Sequence, residues 1–306
     1  MLRSNNRNEF GESRTPLRKH AVRAAPCGRP ANRDPFKPVK PASLRRLLGP
    51  LVALFCMQIF LETSLGQLQV VKNLQAVQVL SSSVQALGGL QALATIRDSV
   101  SSGTLTVVRG STQSAASVTI KTKGNNLVRT DVNEAGKVRV QIQQRDIGLL
   151  TVSGVTRRRP LHNSYNGHVE HIPIFSQLSE YGRQDYLVRY GGLVTVDGRM
   201  AHLIALVRED SDAASVQLRL SQFTDVEYLI DSATLLPLRM RYWLWGDHNA
   251  MASILVENAY SDYRRVGAIL VPFQMTRYIA GKQVESFRWS QVLFNQGVSD
   301  AEFQAP

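Results

Sequence analysis

Residues 101–142 read SSGTLTVVRGSTQSAASVTIKTKGNNLVRTDVNEAGKVRVQI, and apolar side chains recur in them at every second position. Leu105 and Val107 alternate with Thr104 and Thr106. Val118 and Ile120 alternate with Thr119 and Lys121. Val138, Val140 and Ile142 alternate with Lys137, Arg139 and Gln141. Turn formers separate the runs, at Lys123-Gly124-Asn125-Asn126 and Asn133-Glu134-Ala135-Gly136. A period of two bounded by such turns predicts strands of an antiparallel meander, each with one buried face.

Upstream the period is 3.6. Asn73 is placed to cap a helix carrying Leu74, Val77, Leu80, Val84 and Leu87 on one side. Gly88-Gly89 breaks it, and a second short helix follows with Leu90, Leu93, Ala94 and Ile96 as its apolar side. This hairpin is expected to pack on one face of the sheet. Downstream, residues 154–182 interrupt the meander with a loop and a short helix over Ile172–Tyr181. Strands resume at Tyr186–Tyr190, Ala201–Val207, Val216–Leu220, Val226–Ile230, Leu235–Leu244, Met251–Tyr263, Ile269–Ile279 and Val284–Phe294. The whole predicts a mainly β (α+β) chain of roughly a dozen strands. Its sheet is strongly curved, wet outside and apolar inside, and such a sheet can enclose a ligand cavity.

The net charge of +12 does not point to nucleic acid, because most of it sits in residues 1–46, with 12 Lys/Arg against three acids. From Gln67 onward 24 Lys/Arg face 20 Asp/Glu, without a basic stripe. The leader is rich in Arg, Asn and Pro and has no apolar periodicity, so it is read as disordered. Residues 47–61 form an apolar run shorter than the ~20 residues a membrane helix needs. They suit the apolar region of a signal peptide, and Ser64-Leu65-Gly66 predicts cleavage before Gln67. The expected division is therefore leader 1–46, signal region 47–66 and exported domain 67–306, with the periplasm as destination. An uncleaved inner-membrane anchor over 47–61 is the alternative. The long leader also fits a true start nearer Val39 or Leu44. Cys27 and Cys56 both precede Gln67, so the exported domain has no disulfide, thiol nucleophile or cysteine metal site.

Motifs for chemistry are few. Gly-x-Ser-x-Gly, Gly-x-Gly-x-x-Gly, Walker-type loops and HExxH are absent. His162, His168 and His171, with Glu170 among them, could hold zinc, but their spacing is irregular and a solvated polar loop is the simpler reading. Glu209-Asp210 and Asp225/Glu227 read as solvated turn chemistry. Arg157-Arg158-Arg159 reads as an exposed basic loop, with anionic lipid head groups as the alternative partner. Leu238, Met240 and Tyr242 share one strand face, as do Phe273 and Met275, and Phe287 and Trp289. Those seven residues are either ordinary sheet core or the wall of an apolar ligand cavity.

Four segments carry a family resemblance. They are Ala86-Leu87-Gly88-Gly89-Leu90-Gln91-Ala92-Leu93 with the strand opening Ser102-Gly103-Thr104-Leu105, the turn Val196-Asp197-Gly198-Arg199-Met200-Ala201, the run from Tyr228 to Met240, and the run from Tyr260 to Phe273. In this order they resemble the periplasmic outer-membrane lipoprotein-carrier and lipoprotein-sorting superfamily (LolA/LolB/LppX-like). The resemblance implies an unclosed β-barrel, with the helical hairpin and the middle helix as a lid, that binds lipid or lipoprotein acyl chains. It implies no enzyme activity and no cofactor. An envelope acceptor or release protein and transient membrane contact would go with that role. A metal-dependent envelope hydrolase using the three histidines, and a structural docking module, are the alternatives from other classes.

Overall fold

The computed structural model describes residues 72–165, 169–209, 221–246 and 249–305. The leader, the apolar segment 47–61, the proposed cleavage site, both cysteines, His168 and the expected strand Val216–Leu220 lie outside these residues.

Helix α1 spans Leu74–Leu87 and begins where Asn73 accepts the Ala76 N–H on its side-chain oxygen at 3.0 Å. Leu80, Val84 and Leu87 are buried as the spacing predicts. Leu74 is instead 79% exposed, because it occupies the first helical turn and points away from the sheet. Helix α2 spans Gly89–Ala94. Its Leu93, with Ile96 just beyond it, packs on the core, while Leu90 is exposed.

Among the described residues thirteen strands follow. β1 (Asp98–Arg109), β2 (Thr112–Lys123), β3 (Leu127–Glu134), β4 (Lys137–Gln144), β5 (Ile147–Val152) and β6 (Val155–Arg158) form one meander. β7 (Tyr186–Val196), β8 (Arg199–Arg208), β9 (Val226–Asp231), β10 (Pro237–Gly246), β11 (Asn249–Val266), β12 (Ile269–Ile279) and β13 (Lys282–Phe294) form a second. Antiparallel pairing of β1 with β13 joins them into one sheet, ordered β6-β5-β4-β3-β2-β1-β13-β12-β11-β10-β9-β8-β7. The sheet does not close, so β6 and β7 remain its edges. The architecture is the unclosed β-barrel the resemblance implies.

Two-residue turns such as Ala135-Gly136 and Ala280-Gly281 have positive φ at both positions, which matches the right-handed twist of the strands they join. The β1–β13 seam depends on Gly103. The register shifts there, and a side chain at Gly103 would come within 2.2 Å of the Arg288 carbonyl oxygen. No Cβ fits where the two meanders approach so closely.

Two strands were not evident in the sequence. β5 is too short for its alternation to stand out, and β6 is exposed along its whole length. The segment between β6 and β7 departs most from expectation. The short helix expected over Ile172–Tyr181 is present as two 3₁₀ turns, Pro173–Phe175 and Gln177–Glu180, with a further 3₁₀ turn at Leu161–Asn163. The segment is not a solvated loop. Val169, Ile172, Ile174 and Leu178 are fully buried in the same core as α1 and the sheet. Tyr228 of β9 holds the segment through Ser176 Oγ at 2.6 Å, and Phe175 packs edge-on against Phe294 of β13. The crossover thus runs through the interior of the half-barrel.

The C-terminal segment works on the other face. Asp98 accepts the backbone N–H groups of Gln296, Gly297 and Val298. The 3₁₀ turn Asp300–Phe303 is then tied down by Lys121 to Glu302 at 2.8 Å and by Gln144 to the Phe303 carbonyl at 2.6 Å. Phe303 covers Val140 and Ile142. Val140 and Ile142 on the apolar face of β4 are therefore buried outside the barrel, and its polar face looks inward.

Candidate functional site

A cavity of about 160 Å³ lies inside the curve of the sheet. β4 and β10, far apart in the strand order, both line it, so the sheet wraps around it. Ile120 of β2 and Val128, Thr130 and Val132 of β3 form one wall; Arg139, Gln141 and Gln143 of β4 add a polar flank. The opposite wall is Tyr242 and Leu244 of β10, Val256 of β11, and Met275, Arg277 and Ile279 of β12. Glu285 and Phe287 of β13 complete it, and Arg159, Glu170 and His171 enter from the crossover.

The seven residues singled out in the sequence divide three ways. Tyr242, Met275 and Phe287 line the cavity. Met240, Phe273 and Trp289 are packed in the main core and do not line it. Leu238 belongs to a separate cluster with Val196, Ala201 and Leu229. The β9–β10 register shifts between Pro237 and Arg239, and this bulge takes Leu238 off the face that Met240 occupies.

Sequence reasoning missed the polar half of the site. Glu170 is its centre. One carboxylate oxygen accepts from the Tyr242 hydroxyl at 3.1 Å, and the other accepts from the Asn258 amide at 2.9 Å and from Arg277. Tyr260 donates to the Glu170 carbonyl at 2.7 Å. Arg277 also donates to Asn258 at 3.0 Å and pairs with Glu285 at 3.1 Å. The network fastens the crossover to β10, β11 and β12. Burial opposes the Arg277 charge, but Glu170, Tyr242 and Glu285 outweigh it and hold the guanidinium above its ordinary range. Burial, then the Glu170 carboxylate, pushes the Tyr242 phenol upward. The strand alternation would have pointed to Arg139, Gln141 and Gln143 once the cover on the other face of β4 was known.

The histidines do not act as one group. His171 is buried, its Nε2 lies 3.0 Å from Ser101 Oγ, and its ring packs 5.2 Å from that of Trp289. His162 packs beside Phe223. Among the described residues no group of three His, Cys, Asp or Glu could hold a metal ion. Asp225 is not a plain solvated turn residue either, since burial pushes its carboxyl up to about 6.

His171 has a measurable consequence. Burial lowers its pKa to about 3. In the unfolded chain it protonates near 6.5. Between those values the unfolded state binds the extra proton, so stability falls as pH falls from 6.5 toward 3. At pH 5 the loss from this group is about 2 kcal/mol. Urea unfolding at pH 7 and pH 5 should show that His171→Gln loses about that much less than the parent on acidification. Equal losses would mean that His171 takes up its proton in the folded protein.

No family model matches the sequence, and a search of curated proteins finds no significant match. Solved structures do match. One is a Vibrio parahaemolyticus domain described as an outer membrane lipoprotein-sorting protein; it is 11% identical, with a TM-score of 0.50 over 75% of this chain and 96% of that one. A LolA-superfamily protein from Nitrosomonas europaea is 10% identical, with a TM-score of 0.48 over 74% and 97%. A DUF1329 protein from Desulfovibrio piger is 15% identical, with a TM-score of 0.48 over 75% and 97%. At these identities the likeness is one of fold.

Proposed function

We propose that this chain is an exported, non-enzymatic carrier that holds a lipid or lipoprotein acyl chain inside its half-barrel. The carrying observation is the cavity itself, walled by Tyr242, Met275, Phe287, Val256 and Ile279 beneath a crossover that is separate from the sheet. Methionine and aromatic walls adapt to flexible chains. Each buried CH₂ contributes about 0.8 kcal/mol, so burial alone supplies affinity without a covalent step. A cavity of about 150 Å³ accepts a benzene-sized molecule. A longer chain therefore requires the crossover to give way, and loading and release would be governed by that movement. The resemblance to a lipoprotein-sorting domain supports this reading, as does the signal-like segment 47–66; on this reading the mature protein works in the periplasm with a delivery partner in the envelope. The burial of His171 against Ser101 and Trp289 weighs against the metal-dependent hydrolase.

Two measurements test the reading. Lipid should co-purify with the natively exported protein and be identified by mass spectrometry. Met275→Trp should fill the cavity and weaken binding of a fluorescent fatty-acyl probe more than about tenfold, with the fold intact because the new ring enters open space. A parent protein that carries no lipid and binds no probe would refute the proposal.

A further inference from the structure

The run Arg157-Arg158-Arg159 does not behave as one basic patch. Arg157 and Arg158 lie on the exposed edge strand β6. Arg159 leaves the strand just before Pro160, and its backbone N–H donates to the Gly148 carbonyl at 2.7 Å. Its side chain passes over Gly148, where an added Cβ would come within 3.0 Å of Arg159 Cδ. Arg159 then joins the cavity wall.

The charges lining that cavity do not balance. It contains Arg139, Arg159 and Arg277 against Glu170 and Glu285. Arg277 pairs with both carboxylates, and Arg139 pairs with Glu285 at 3.2 Å. Arg159 has no ion pair among the described residues, yet it is near enough to Tyr242 for its charge to act on that phenol. One cation is left over in a cavity whose remaining walls are largely aliphatic and aromatic. A partly buried, unpaired charge is costly and favours an anionic occupant.

We propose that the cavity takes a single-chain amphiphile with an anionic head, carboxylate or phosphate. The head pairs with Arg159, and the tail lies among Val256, Met275, Ile279 and Phe287. This rests on the acyl-binding reading and narrows it, because a neutral acyl chain would leave Arg159 without a partner. A guanidinium meets either oxyanion through two parallel N–H···O bonds, which are among the stronger hydrogen bonds in proteins.

The test compares decanoate, decyl phosphate and decanol by calorimetric titration of the purified chain. At least one anion should bind about tenfold or more tightly than decanol, and which of them does so separates a fatty-acid source from a phospholipid-like one. Arg159→Gln should abolish the preference, so that neither anion binds more tightly than decanol, and Arg159→Lys should restore part of it. Thermal unfolding of Arg159→Lys should match the parent and that of Arg159→Gln should lie at or above it, since Arg159 makes no side-chain hydrogen bond among the described residues and neutralising it removes an unpaired charge. Decanol binding as tightly as both anions, or an anion preference that survives in Arg159→Gln, would overturn the proposal while leaving acyl binding intact. Failure of all three ligands to bind would overturn the acyl-carrier reading, and this proposal with it.

Discussion

Met240→Ala is expected to destabilise the protein by about 2–5 kcal/mol and to leave acyl-probe affinity nearly unchanged. Met240 is fully buried on β10, opposite Tyr228 of β9 and Asn258 of β11. It is packed in the main core and does not line the cavity. Truncation there removes transfer energy and leaves a void that rigid β neighbours cannot close. Met275 faces the cavity, opposite Phe287. Its side chain already borders open space, so Met275→Ala should cost less stability and should change probe affinity. Denaturant unfolding and probe titration on the two variants check this. Equal destabilisation, with probe binding indifferent to both, would show that the interior is uniform core.

Glu170→Ala is expected to cost about 3 kcal/mol. The Glu170 and Arg277 side chains are 20% and 22% exposed, so solvent screens them only partly. Removing the carboxylate leaves the Tyr242 hydroxyl and the Asn258 amide without their acceptor, and Arg277 with Glu285 as its one remaining carboxylate beside the Asn258 oxygen. Unsatisfied buried groups are more costly than the net gain from pairing them. The double substitution Glu170→Ala/Arg277→Met should therefore recover part of the loss. The exposed pair Arg109–Glu134 supplies the contrast, because its arginine is 61% exposed and such pairs contribute less than about 1 kcal/mol. Urea unfolding of Glu170→Ala beside Glu134→Ala measures the difference. Similar small losses in both would mean that the crossover is held by its apolar side chains and not by this network.

Most strands could be read from the alternation of single residues. Val118 with Ile120, Met275 and Phe287 all face inward as their period requires. The Gly88-Gly89 break and the Asn73 cap bound α1 as expected. The misreadings share a cause. Alternation shows that a strand has an apolar face but not which layer covers it. Val140 and Ile142 look like interior residues until Phe303, far away in the chain, is seen lying over them. Leu238 shares the parity of Met240 until the bulge beside it breaks the phase. Residues 169–181 have no period, because 3₁₀ turns are too short to repeat one. The burial of Val169, Ile172, Ile174 and Leu178 follows from packing against strands distant in sequence.

The sequence by itself determined the class of fold, because a period of two interrupted by turn formers leaves a chain little choice but an antiparallel sheet with one apolar face per strand. It also determined that no cysteine follows the proposed cleavage site, and it marked seven residues as core or cavity. Only the tertiary structure decided which of those seven border open space, that Arg159 parts company with Arg157 and Arg158, and that Glu170 reaches three strands at once. Local propensity and periodicity act over a few residues. Cavity walls and ion-pair networks arise where strands distant in sequence converge, and their positions depend on sheet curvature, on bulges and on what covers each face.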